Sequence, residues 1–172
     1  MDDRVLTLLL RLIHILAGVF WAGSAFLLAG FLVPTVREIG PEGGRFMAHL
    51  VTRRRLPVFL GTAMGLTVLS GVILYARTAA ATHGTWTRTA PGIAYAVGAL
   101  SAIVGGAVGM GITGAAGNRM AAIGQQVAQT GRPSPEQQAE IARLQGRMAL
   151  GARVAAGLVA VAVAAMATAR YL

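Results

Sequence analysis

LIHILAGVFWAGSAFLLAGFLVP, residues 12–34, runs for 23 residues without an Asp, Glu, Lys or Arg. At 1.5 Å per residue a helix of that length reaches roughly 34 Å, enough to cross about 30 Å of hydrocarbon. No alternation of period two interrupts the run. It therefore reads as helix, which satisfies its own backbone hydrogen bonds where there is no water. Three further apolar runs follow, around 57–76, 92–115 and 150–169. The fold class expected is all-α: a polytopic membrane four-helix bundle forming one domain over residues 1–172. Its transmembrane helices should cover about 8–34, 57–76, 91–115 and 149–170.

The formal charge of +9 comes from fifteen arginines, no lysine and six acids. In a water-soluble chain this would point to nucleic acid. Here most arginines lie between or at the edges of the apolar runs, where they serve orientation and headgroup contact. The expected partners are membrane lipids, and no nucleic acid. Cysteine is absent, which removes disulfides, thiolate catalysis and thiolate metal sites. The opening MDDRV has no basic region followed by a cleavage site, so the first run is expected to be a retained helix that also targets the protein. Placing both termini outside puts Arg37, Arg45, Arg53, Arg54, Arg55, Arg119, Arg132, Arg143, Arg147 and Arg153 inside. Arg4, Arg11, Arg77, Arg88 and Arg170 then lie outside, and ten against five is the positive-inside direction.

The links have patterns of their own. Pro34 should end the first helix. Beyond the glycines at 40, 43 and 44, Phe46, Met47, Leu50 and Val51 recur at helical spacing beside Arg45, His49 and Arg53–Arg55, which predicts a short amphipathic helix on the inner surface. Thr89 is a candidate N-cap for the third span. Past residue 115, Met120, Ile123 and Val127 continue an apolar stripe, and Ile141, Leu144 and Met148 form another after a capping box at Ser134–Gln137. The third and fourth helices should therefore project from the membrane as a helical hairpin.

Helices associate in lipid by close approach through small side chains. Gly61 and Gly65 offer this in the second span. The third offers two tracks, Gly98-Ala102-Gly106 and Gly105-Gly109-Thr113-Gly117, and the second track could carry a homodimer.

His14 is the only histidine inside an apolar run. Gly18 lies one turn on and Trp21 two turns on, so the three share a face. A histidine with a glycine beside it gives a coordinating nitrogen and clearance for a porphyrin lying against the helix, with Trp21 as a packing wall. The bland alternative is a histidine hydrogen-bonded across helices or to headgroups. His83, in the outer link, could join His14 as a second haem ligand or in a copper or zinc site. Met64 and Met110 offer thioethers, though mid-helix methionines mostly fill gaps. Arg53, Arg54 and Arg55 with His49 suit anionic lipid, or alternatively an anionic ligand or quinone headgroup. No acid lies within an apolar run, which argues against a pump built on a buried carboxylate. There is no HExxH, phosphate loop or nucleophile elbow, and no enzyme activity is assigned.

The segment RLIHILAGVFWAGSAFLLAGFLVPTV, with TRRRLPVFLGTAMGLTVLSGVILY and the closing ATARYL, resembles a loose group of bacterial four-helix membrane proteins. The group includes the copper-resistance D-type membrane domain, uncharacterised relatives of it and, more distantly, the membrane protoporphyrinogen oxidase of haem synthesis. The shared features are the early histidine, the glycine one turn later, Trp-x-Gly at 21–23 and the proline at the far end. This resemblance implies a bacterial inner-membrane location and a haem or metal role for His14. The chain lacks the histidines in later spans that a buried bis-histidine haem would need. Three readings follow: a haem b or copper-binding redox or metal-handling protein, a cofactor-free scaffold or small-solute permease component, or a subunit of a larger membrane complex.

Overall fold

The computed structural model describes residues 2–172, all of whose regular structure is helical. Helix α1 (Asp3–Leu27) starts on Asp2, whose carboxylate accepts the Arg4 N–H. A π turn, Leu28–Leu32, closed by the Val33 N–H on the Leu28 carbonyl, carries the chain into α2 (Val33–Ile39). Pro34 thus does not end the first helix as its residue type predicts. It sits in the first turn of α2, just past the wider ring of the π turn, where a missing N–H disrupts least.

Gly40, at φ +71°, reverses the chain into α3 (Pro41–Thr52). The two helices touch backbone to backbone, because a Cβ on Gly43 would stand 2.8 Å from the Val36 Cα. Arg55, in the left-handed region, leads into α4 (Leu56–Ala81). A 3₁₀ turn at Thr85–Arg88 precedes α5 (Ala90–Val108), where Thr89 Oγ1 accepts the Gly92 N–H at 3.3 Å. A second π turn, Gly109–Thr113, continues into α6 (Gly114–Thr130). Helix α7 (Pro135–Thr168) opens on a full capping box: Ser134 Oγ accepts the Gln137 N–H at 3.2 Å and Gln137 Oε1 accepts the Ser134 N–H at 3.0 Å.

Four helical stretches are long and apolar enough to cross a membrane: Asp3–Ile39, Leu56–Ala81, Ala90–Val127 and Pro135–Tyr171. Helix α1 packs on α4 and α5 on α7, and contacts of α1 with α7 and of α4 with α5 join the two pairs. The core between them is small-sided. Ala22, Ala63, Ala102, Ala155, Val159 and Ala162 are buried, with Thr67 and Ser70 as the buried polar residues. Large apolar side chains point outward instead: Leu16, Val19 and Phe31 are all more than two-thirds exposed. In water such a surface would drive aggregation; in a bilayer it is the solvated face. The protein is a multi-pass, membrane-embedded helical protein in contact with lipid.

The glycines divide unevenly. A Cβ on Gly98 would stand 3.2 Å from the Ala162 carbonyl oxygen, and one on Gly105 3.3 Å from that of Ala155, so both let α7 approach α5. Gly109 faces the Ala155 methyl. Gly105 and Gly109 of the second track are therefore covered by the chain's own α7, while Gly117, at its far end, has nothing within 4 Å of its Cβ position. Gly61 and Gly65, expected to pack, have nothing within 4 Å of the Cβ position. Helical spacing placed them on one face of α4, but the partner helix lies along another, marked by Ala63, Thr67 and Ser70.

Helices α6 and α7 face each other beyond the π turn through Ala116, Ile123 and Leu144, with Met120, Val127, Ile141 and Met148 around them. Glu140 ties the pair at its polar edge. It accepts from Arg143 Nε at 3.1 Å and lies 3.8 Å from Arg119 Nε on α6. The Arg143 hydrogen bond is the main cause that holds the Glu140 carboxyl below its ordinary range.

Candidate functional site

His14 is positioned by α4. Its ring lies in the notch left by Gly71, where a Cβ would stand 2.7 Å from Cε1 and 3.0 Å from Nδ1. Nδ1 lies 2.8 Å from the Thr67 carbonyl oxygen and 3.4 Å from Ser70 Oγ. A carbonyl only accepts, so Nδ1 carries the proton and donates it. The hydroxyls are themselves satisfied within α4: Thr67 bonds the Ala63 carbonyl, and Ser70 the Leu66 carbonyl. The result is a histidine whose ring plane is fixed by a helix notch at one edge and a backbone acceptor at another.

The opposite ring nitrogen is left over. Nε2 has no hydrogen-bond partner, and among the described residues no fully enclosed side-chain nitrogen or oxygen lacks one, so Nε2 is not sealed inside the bundle. In the neutral ring it holds an unshared pair, at a place where water is scarce.

Gly18 and Trp21 do share the inward face with His14, but neither leaves it open. A Cβ on Gly18 would meet the Thr67 methyl at 3.5 Å, so the clearance expected for a flat ligand is occupied by α4. Trp21 reaches the centre of the bundle: its Cζ2 would lie 3.3 Å from a Cβ on Gly106, where Met64 also packs. Met64 therefore fills the junction of three spans. Met110 is half-exposed, on the π turn of the third span.

His83 is exposed in the turn beyond Ala81, with φ +47°. Gly71, against which His14 lies, is ten residues below Ala81, roughly 15 Å along the helix axis. His83 thus lies past the end of α4, about three turns along that helix from the notch that seats His14. Among the described residues, no group of three or more side chains of His, Asp or Glu is placed to hold a metal ion. His49 and Arg53–Arg55 lie exposed at the end of α3 and the turn after it.

Two further features close the end of the bundle near His83. Arg77 pairs with Asp3 and reaches Thr7 Oγ1 at 3.5 Å, clamping the start of α1 to α4. Trp86 packs between Tyr75 and Tyr95 with tilted rings, centroids 5.2 and 5.9 Å away, and the Tyr75 hydroxyl donates to the Gly92 carbonyl at 3.4 Å. The residues that sequence reading missed are Thr67, Ser70 and Gly71. Their signal was present in a largely apolar span: hydroxyls at 67 and 70, three residues apart, with a glycine directly after the second.

These residues fit the candidate cofactors unequally. Copper or zinc takes several ligands from side chains, and His14 stands alone. A haem brings four ring nitrogens of its own and requires one axial donor, which Nε2 can supply. The chain matches no family model, no curated protein and no solved structure.

Proposed function

We propose that the protein is a haem b-binding membrane protein of redox or metal-handling type, with His14 Nε2 as an axial ligand. The observation behind this is the division of labour on one imidazole: Nδ1–H is tied to the Thr67 carbonyl and Nε2 is unpartnered. That is how outer-shell hydrogen bonds orient metal-bound histidines, fixing the tautomer and raising the basicity of the ligating nitrogen. A bound haem supplies the electron-transfer chemistry. The chain's own residues hold and aim the donor: Gly71 gives the ring its seat, Thr67 fixes its proton, and Ser70 adds a second oxygen. Copper is the weaker form of the reading, since it would need ligands from a second molecule.

The setting belongs to the same proposal. The protein sits in a bacterial inner membrane with both termini outside, as the arginine distribution favours. Helix α3 lies on the inner surface, where Arg53, Arg54 and Arg55 meet anionic lipid, and the α6–α7 hairpin projects inward. His14 then serves the outer half of the bilayer.

The second reading is a cofactor-free scaffold, permease component or complex subunit. It is favoured by the same bond, because His14 to Thr67 also clamps α1 to α4 across the helix interface. An absorption spectrum of the purified protein, oxidised and reduced, separates the two. A stoichiometric Soret band that shifts on reduction and disappears in His14→Ala, with the variant still folded, is the expected result. A colourless protein from cells supplied with haem precursor and copper would overturn the haem reading and leave the scaffold.

A further inference from the structure

The first π turn borders a groove remote from His14. Between that turn and α7 lies a cavity of about 240 Å³ whose lining includes Ala29, Val33, Arg37, Glu38 and Arg153. It opens along the bundle into a shallower trough of about 440 Å³, past Phe26, Gly30 and Ala156. Ala29, Pro34 and Arg153 border both, so the two form one continuous channel with a charged end and an apolar run.

The charges at that end are unbalanced. Among the described residues neither Arg37 nor Arg153 makes an ion pair, and Glu38, on the same wall, is paired with neither. Two guanidinium groups and one carboxylate leave a net positive end. Arg153 lies only a few residues inside the fourth apolar run, a depth from which its side chain can reach the headgroup level. The trough floor is open at Gly30, where a Cβ would meet nothing within 4 Å.

We infer that this channel binds an acidic phospholipid, with the phosphate on Arg37 and Arg153 and one acyl chain along Phe26, Gly30 and Ala156. Charge and shape choose this occupant together. A small free anion would use the arginines but not the trough, and a second protein copy would leave two arginines facing its apolar surface. Arginine forks suit phosphate oxygens, and the membrane supplies the acyl chain at high local concentration.

Native mass spectrometry of the full-length protein in detergent tests this, with phosphatidylglycerol, phosphatidylcholine and inorganic phosphate as probes. Phosphatidylglycerol should bind in preference to phosphatidylcholine. The double variant R37Q/R153Q should lose roughly 30-fold in phosphatidylglycerol affinity, the worth of two arginines near an anionic headgroup. R88Q/R132Q, which removes the same charge from exposed turns elsewhere, should lose little. G30L, whose side chain enters open space, should weaken the lipid with both arginines in place. Equal losses in the two double variants would overturn the site. Displacement by inorganic phosphate with G30L unaffected would overturn the lipid and leave a small-anion site.

Discussion

Gly71 and His14 are complementary across the α1–α4 interface: the missing Cβ of one is the seat of the other's imidazole, 2.7 Å from where that Cβ would be. Gly71→Ala should push the ring out and break the Thr67 bond. Overpacking of this kind costs about 1–3 kcal/mol. Gly65→Ala, one helix face away and with nothing within 4 Å, should gain a few tenths to about 1 kcal/mol from helix propensity. Thermal unfolding of the two variants in one detergent would show opposite shifts, and equal shifts would contradict the assigned interface.

His14→Ala removes one interhelical hydrogen bond, worth about 0.6 kcal/mol on average and up to about 1.7 in membrane proteins. The variant should therefore stay folded, with a modest fall in melting temperature. That small structural cost is what makes the loss of a chromophore in the same variant interpretable.

Gly105→Leu should separate α5 from α7 inside one chain, since its Cβ position already lies 3.1 Å from the Leu158 Cβ and 3.3 Å from the Ala155 carbonyl oxygen. Gly117→Leu, further along the same track and open, should be tolerated. Size-exclusion chromatography with limited proteolysis would report this as unfolding of the first variant rather than as dissociation of an oligomer.

The α6–α7 hairpin should be acid-sensitive through Glu140. Its carboxyl is held below the ordinary 4.5, first by the Arg143 hydrogen bond. A depressed folded-state value means that this contribution is present above about pH 4.5 and is lost as pH falls through the lowered value. Hydrogen-exchange protection factors over residues 114–148, corrected for the intrinsic slowing of exchange in acid, should fall on acidification in that window. Arg143→Gln should blunt the change, and an unchanged acid response in that variant would exclude the pair as its source.

The four spans and both caps at Thr89 and Ser134 were legible in the sequence, because length, apolar composition and capping chemistry are local properties. Facing stripes also gave the α6–α7 contact, since Ile123 and Leu144 repeat at helical spacing on their own segments. Partner choice was not legible. Helical spacing says that Gly61 and Gly65 share a face; it does not say that the face carrying Thr67 and Gly71 is the one α1 covers. Pro34 misled for a related reason: the π turn at Leu28–Leu32 that tolerates it leaves no mark in composition. His14 stood out as the only histidine within a span, while its acceptor is a main-chain carbonyl, invisible in any residue-type pattern.

The small-sided core also changes what unfolding means. Many large apolar side chains already face the surrounding medium, and the buried positions within the spans are mostly alanine and glycine, with Val159, Thr67 and Ser70 among them. Pulling the helices apart within a bilayer would exchange methyl contacts for acyl-chain contacts, with little apolar surface newly wetted. The heat-capacity increment that marks unfolding in water should be nearly absent. Stability should instead track how well the hydrophobic tails of the host lipid or detergent fill the clefts between helices, so chain length and lateral pressure become the effective denaturants.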